Sequence, residues 1–291
     1  MRFANDPANK LRMLIPQGKL MNNVARLLSE AGFPFSITSG TKQLVFNSDW
    51  LEAKIMKPQN IGDFLDEGKY DVGFTGLDWI LERGANVEEI INLDFDASRV
   101  VAAAAPDLDD VKLRSKKLVV AAKYVNLAEA WLKSSNYEYR VIRAFGNTGI
   151  YSADDADMIV DSTLSGKLLK DNRLRAVGTL LESSTRFVAC RDALTNAKKR
   201  ARIEELAMLF RAVLDAREKV MIEMNVPKDC FDPLVKTLPA MRSPTVAPLY
   251  GDDGFAVKIA IKKSEVPALI PRLKEMGALD ILEYELRKVV P

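Results

Sequence analysis

Short apolar runs alternate with amphipathic helical patterns from the start of the chain to about Arg191, and no other feature restricts its fold as strongly. "LRMLIP" (Leu11 to Pro16) predicts a strand and "LMNNVARLLSEAG" (Leu20 to Gly32) an amphipathic helix closed by glycine, so a βα unit opens the fold. "LEAKIMKP" predicts a strand halted by Pro58. "NIGDFLDEG" predicts a helix with Asn60 as its N-cap and Gly68 as its stop. "YDVGFTG" is a strand running into a glycine-containing turn. "RVVAAAAP" and "KKLVVAAK" are rich in small and branched residues and suit strands covered on both faces. The pattern is that of an α/β fold.

After Arg191 the pattern changes. "DALTNAKKRARIEELAMLFRAVLDAR" predicts one long helix. It is followed by strand "KVMIEMNV", helix "KDCFDPLVKTL", strands "PTVAPLY" and "GFAVKIAI", helix "SEVPALIPRLKEMG" and strand "ALDILEYEL". That βαββαβ order is the ferredoxin-like arrangement, and it predicts a separate small C-terminal domain beginning near Arg217.

Composition narrows the chemistry. With 291 residues and 48% hydrophobic content the chain can bury a large core, in about two domains. Its 42 basic and 40 acidic residues are interspersed and leave a net charge of +2, which argues against a nucleic-acid stripe or a membrane-binding face. Any anion site must be local. No apolar leader pattern opens the sequence and no window approaches about eighteen consecutive apolar residues, so a cytoplasmic location is expected. Cys190 and Cys230 are the only thiols, too few for a disulfide scaffold or a cysteine metal site. Histidine is absent, which excludes serine–histidine triads, cysteine–histidine dyads, zinc–histidine sites and imidazole bases. Carboxylates, cations, hydroxyls, backbone amides or an oxygen-bound metal must do the work.

One stretch meets those terms, "DADMIVDSTLSGKLLKDNRL" (Asp155 to Leu174). Strand alternation sends Asp157, Ile159 and Asp161 to one face and Met158 and Val160 to the other, with Asp161 near the carboxyl end, where open α/β sheets bind ligands. The turn "STLSG" then leads into a helical pattern, so several backbone N–H groups could face one anion, phosphate being the natural guest. It is not a Walker A loop, because Asp161 stands where that motif requires its first glycine. An ordinary βα turn with a capping serine fits the stretch as well.

Other segments fall into an order of their own: "LIPQGKL", "KPQNI", "DEGKYDVGFTGLDWILE", "NLDFDASRVVAAAAP", "ADMIVDSTLSGKLLKDNRL", "VLDAREKVMIEMNVP" and "LPAMRSPTVAPLYG". Together they resemble the long form of ATP phosphoribosyltransferase, nearly end to end. The resemblance implies a two-lobed catalytic part similar to periplasmic binding proteins, followed by a ferredoxin-like, ACT-like regulatory domain. Lobe I would be residues 1–100 with 185–211, lobe II residues 101–184, and the histidine-sensing domain residues 212–291. The family departs from this chain where its Thr-Gly-x-Thr reads Ser165-Gly166-Lys167-Leu168, and where Gln17, Gly149 and Asn225 replace a more usual lysine, glutamate and aspartate.

The implied reaction joins adenine N1 of ATP to the anomeric carbon of phosphoribosyl pyrophosphate (PRPP) as pyrophosphate leaves, with Mg²⁺ as cofactor. Asp161 and Asp157 would hold ribose hydroxyls or metal-bound water. Ser162, Thr163, Leu164, Ser165, Gly166, Lys167 and Leu168 would cradle the 5′-phosphate. Lys19 and Lys57 would meet pyrophosphate or the ATP triphosphate, Lys57 with a catalytic part, and Thr75, Gly76 and Arg99 would add to the ATP site. Read without the family, the two lysines are ordinary surface groups and Arg99 is an ion-pair partner for Asp94 or Asp96. Asn225, Met241, Ser243 and Thr245 would receive histidine as inhibitor, in a homo-oligomer for which the family implies both a dimer and a hexamer. The remaining alternatives are a catalytically silent or divergent paralogue and a two-lobed protein that closes on a small anion.

Overall fold

The computed structural model describes residues 10–37, 43–146, 148–151, 154–239, 241, 243–251 and 253–290. The chain divides into two compact units between Glu205 and Leu206. Among the described residues no helix is long and apolar enough to cross a membrane.

The first unit opens with β1 (Leu11–Pro16) and α1 (Lys19–Ala31), whose buried Val24, Leu27, Leu28 and Ala31 form one helical stripe. Gly32 ends the helix at φ 104°, where a side chain would be strained. Then come β2 (Phe35–Ile37), β3 (Gln43–Phe46), β4 (Leu51–Met56) and α2 (Pro58–Asp66). Pro58 opens α2 rather than merely halting β4, because a missing N–H costs nothing at a first helical position; Lys57, not Asn60, is therefore the N-cap residue. β5 (Val72–Gly76) runs directly into α3 (Leu77–Arg83), and β6 (Val87–Asn92) follows.

Next the chain builds β7 (Ser98–Ala104), α4 (Asp110–Arg114), β8 (Leu118–Ala122), α5 (Val125–Ser134), β9 (Tyr139–Arg143), a 3₁₀ turn (Thr148–Ile150), β10 (Met158–Thr163), α6 (Lys167–Asp171) and β11 (Arg175–Ser183). It returns as β12 (Thr185–Cys190), α7 (Arg191–Thr195) and α8 (Ala197–Arg217). The long helix expected here is broken at Asn196, whose ψ of 112° is not helical. Asn196 Oδ1 instead accepts from the N–H groups of Lys198 and Lys199 and caps the new helix. The division into units falls inside α8, ahead of both the boundary near Arg217 that the sequence pattern suggests and the one at residue 212 that the resemblance implies.

Two sheets result, β2-β3-β4-β1-β5-β12-β6 and β11-β7-β10-β8-β9. The second runs from Ser98 to Ser183, and β12 rejoins the first. The segments crossing between them pair with each other through Leu93 N–H to Thr185 O and Thr185 N–H to Phe95 O. Gly76, at the carboxyl end of β5, is in register with Thr185, and Thr163, at the carboxyl end of β10, with Arg99. The carboxyl ends of the parallel strands in both sheets therefore lie on the crossing side. The alternation read for β10 holds: Met158 and Val160 join one apolar cluster and Ile159 another.

The second unit contains β13 (Lys219–Pro227), α9 (Lys228–Val235), β14 (Thr245–Pro248), β15 (Gly254–Lys262), α10 (Val266–Glu275) and β16 (Leu279–Glu285). Their antiparallel order β14-β15-β13-β16 is ferredoxin-like. Val220, Ile222, Met224, Val257, Ile259 and Ile261 pack with Leu234, Leu269 and Leu273 of the two helices.

Candidate functional site

Asp161, the fourth of the six residues of β10, is 5% exposed. Burying a carboxylate is costly without partners, and each of its oxygens has one. Oδ1 accepts from Ser162 N–H at 2.7 Å and lies 3.4 Å from Lys123 Nζ; Oδ2 accepts from the Thr148 hydroxyl at 2.9 Å. Lys123 directly follows β8, the parallel neighbour of β10, and its ammonium lies 5.7 Å and 5.3 Å from the ring centres of Trp79 and Tyr124. Neither Lys123 nor Thr148 was among the expected site residues. A signal for Lys123 existed, since it closes the predicted strand "KKLVVAAK".

Beyond Thr163 the backbone changes character. Among the described residues, the N–H groups of Leu164, Ser165, Gly166, Lys167 and Leu168 donate to no protein acceptor. Gly166 takes φ 72°, and a left-handed residue at the mouth of a helical turn is how successive N–H groups converge on one point. Leu164, Ser165 and Lys167 are exposed. Leu168 is half-buried and packs against the cluster of Ala103, Ala121, Ala144, Ala156 and Ile159, so the apolar side chain ties the loop to the sheet.

Asp157 does not join Asp161. It lies before the other end of β10, about 13 Å away at ordinary strand rise. Its carboxylate accepts from Val119 N–H at 2.8 Å and pairs with Lys116 at 2.6 Å, a structural tie between strands. A metal shared by the two acids is therefore ruled out geometrically.

Lys19 and Lys57 are both exposed, the first residue of α1 and the N-cap of α2. Because β1 and β4 are adjacent and parallel, both lysines leave the same carboxyl edge. Thr75 is fully buried and donates its hydroxyl to Pro58 O at 2.8 Å, so it offers no open donor. Gly76 is a spacer: a Cβ there would collide with Asp78 Oδ1. Arg99 makes no ion pair among the described residues; Asp96 accepts instead from Asn23 and Thr185, and Asp94 from Asn92. It lines a cavity of about 530 Å³ with Asn92, Asp94, Ser98, Leu164 and Arg186. That volume suits a small-molecule ligand, and Leu164 makes it continuous with the loop. Arg186, which sequence reading missed, is held there by Glu89, Asn92 and Ser184.

In the second unit Asn225 lies on the sheet face away from the core and donates to Asp280 Oδ2 at 3.0 Å. Thr245 is exposed on edge strand β14, and its register through Ala247 and Ala256 puts it on the face that carries Asn225. Met241 and Ser243 are exposed in the segment leading to β14.

The geometry defines an α/β protein of two sheets, with an open turn after β10 at the carboxyl ends of its parallel strands, and a ferredoxin-like second unit. A family model described as ATP phosphoribosyltransferase matches residues 57–212, and one described as the HisG C-terminal domain matches residues 216–288. An ATP phosphoribosyltransferase from Pelotomaculum thermopropionicum is 36% identical over 97% of this chain and 100% of its own. Another, from Thermodesulfovibrio yellowstonii, is 33% identical over 97% and 98%. In structure, a chain of the ATP phosphoribosyl transferase (HisG:HisZ) complex from Thermotoga maritima is similar over 69% of this chain and 98% of its own, with a TM-score of 0.61 and 22% identity. The chain belongs to the ATP phosphoribosyltransferase family, in the long form that carries the C-terminal domain.

Proposed function

We propose that this chain transfers the 5-phosphoribosyl group of PRPP to N1 of the adenine of ATP, releasing pyrophosphate, in the cytoplasm. The observation that carries the reading is the run of N–H groups from Leu164 to Leu168 that donate to no acceptor among the described residues, following the buried carboxylate of Asp161. The loop receives the 5′-phosphate, and Asp161 orients the ribose hydroxyls. Lys19, Lys57 and Arg99 supply positive charge for pyrophosphate and the ATP triphosphate. The attacking nitrogen needs no deprotonation, so orientation and electrostatics supply most of the acceleration, consistent with a chain that lacks histidine.

Mg²⁺ fits this donor set in one way. Among the described residues no group of three or more acidic or thiol side chains could hold a metal, and both oxygens of Asp161 already accept hydrogen bonds. Asp161 would hold a Mg²⁺ ion only through water, in keeping with that ion's preference for partial hydration. When bound it offsets the charge of the leaving group. The test is pyrophosphate release with ATP and PRPP. Turnover with Mg²⁺ that disappears in excess EDTA is expected. Full turnover in EDTA overturns the metal requirement, and no release under any condition favours a silent paralogue or a simple anion-binding protein.

The sheet face with Asn225 and Thr245 supports a histidine-sensing role in a dimer or hexamer. Free histidine lowers the rate from outside the cleft, through its preference for one state of the assembly. Inhibition that is purely competitive with ATP and unchanged in Thr245→Ala overturns that assignment.

A further inference from the structure

Lys123 is held by its backbone and its side chain alike. Its N–H donates to Val160 O at 3.0 Å, one residue before Asp161, and its Nζ lies 3.4 Å from Asp161 Oδ1. The same ammonium stands over the ring faces of Trp79 and Tyr124. Both rings are themselves fixed. Their centres are 4.6 Å apart, Trp79 packs against the apolar cluster of the second sheet, and Tyr124 is buried within that cluster. The Tyr124 phenol donates to Asp78 Oδ2 at 2.5 Å, and Asp78 also accepts from the Ser183 hydroxyl at 2.9 Å. Buried Glu82 accepts from the N–H groups of Asn126 and Leu127 at 3.2 and 3.0 Å, which fastens α3, the helix that carries Trp79, to the start of α5.

A carboxylate oxygen accepts about two hydrogen bonds. Asp161 Oδ1 is enclosed by the Ser162 N–H and the Lys123 ammonium. Oδ2 accepts from the Thr148 hydroxyl and, among the described residues, from nothing else. It is therefore the oxygen with room for a further donor. The Lys123 side chain is 32% exposed against 8% for that of Asp161, so the lysine keeps its contact with water while the carboxylate depends on its partners.

We propose that Lys123 is a positioning residue: held over Trp79 and Tyr124, its ammonium fixes the Asp161 carboxylate so that Oδ2 is presented to one hydroxyl of the phosphoribosyl group. The proposal rests on reading the loop after β10 as the PRPP seat. Without the ammonium Oδ1 keeps only the Ser162 N–H, and the carboxylate is free to turn away from the hydroxyl it should meet. Displacements of about 1 Å at such a site cost up to roughly a hundredfold in rate.

Lys123→Met keeps the stem of the side chain and removes the ammonium. We expect PRPP affinity, measured by titration calorimetry without ATP, to weaken about tenfold, while inorganic pyrophosphate, which has no ribose, binds within about twofold of wild type. Analogues of PRPP lacking the 2- or the 3-hydroxyl identify the group that Asp161 meets. Its removal should cost about tenfold in wild type and no more than about twofold in Lys123→Met, because the aimed carboxylate is already lost. Lys123→Arg keeps the charge and the ring contact and should bind PRPP within about threefold of wild type. Should Lys123→Met not fold, Lys123→Gln, which also lacks the charge, is measured in its place with the same expectations. Unchanged PRPP affinity in the folded variant, equal losses for PRPP and pyrophosphate, or a hydroxyl loss of the same size in variant and wild type each overturn the proposal. So does an arginine variant as weak as the uncharged one. Wild-type protein with no measurable PRPP binding overturns the loop reading and this proposal with it; wild-type binding that Lys123→Met leaves intact overturns the proposal alone.

Discussion

Asp71 and Asp161 are both buried carboxylates, 3% and 5% exposed, and both pair with a lysine. Asp71 sits just before β5, at an amino end, where Arg12 N–H donates to it at 2.7 Å and Lys199 Nζ at 2.8 Å. Its own backbone is also spent, its N–H on Arg12 O and its O on Cys190 N–H. Asp161 sits near a carboxyl end, and among the described residues the amides from Leu164 to Leu168 beyond it are unspent. The difference teaches that burial and ion pairing do not by themselves mark a site. What marks it is donor capacity left over where a strand hands the chain to a turn.

Removing each acid separates stability from function. Asp71→Asn strips a buried ion pair of one partner and should lower unfolding stability by about 3 kcal/mol, while kcat of the folded protein is unchanged. Denaturant melts alongside steady-state rates decide it, and a lost kcat with intact stability would break the contrast. Asp161→Asn should leave the fold in place and cost on the order of 10²-fold in kcat/KM, about 2.7 kcal/mol of transition-state stabilisation. Asp157→Asn, on the same strand, should stay within about twofold of the wild-type rate, and equal losses at the two positions would erase the distinction between the ends of β10. The smallest effect is expected of Leu168→Thr. From the family pattern alone the new hydroxyl would tighten PRPP binding, but the packed leucine makes a stability loss of about 1 kcal/mol the expected outcome, with the KM for PRPP no lower. A lowered KM would show that residue 168 faces the phosphate after all.

Much of the architecture could be read in advance because it is local. Alternation in "ADMIVDS" separated Met158 and Val160 from Ile159, and the order of patterns after Arg217 is the order of elements in the second unit. The strands that escaped reading are β2, β3, β6, β9, β11 and β12; β2 and β3 are short, whereas β12 is a six-residue run buried throughout, which periodicity alone does not separate from other apolar segments. β11 is a bulged strand, with register shifts between Ala176 and Gly178 and between Thr179 and Leu181, so a strict period of two is lost.

The absence of histidine, the acid before a small polar turn and the change of pattern beyond Arg191 belong to the sequence alone, and they were enough to restrict the chemistry to oxygen ligands, cations and amides. That Asp157 is tied to Val119 and Lys116 while Asp161 meets Thr148 and Lys123, that a Cβ at residue 76 would meet Asp78 Oδ1, and that Tyr124 meets Asp78 across 46 residues were decided only in three dimensions. The reason is physical. Periodicity reports which face of an element is covered, whereas a buried polar group is assigned its role by its partner, and partners are chosen by sheet register and lobe packing between segments far apart in the chain.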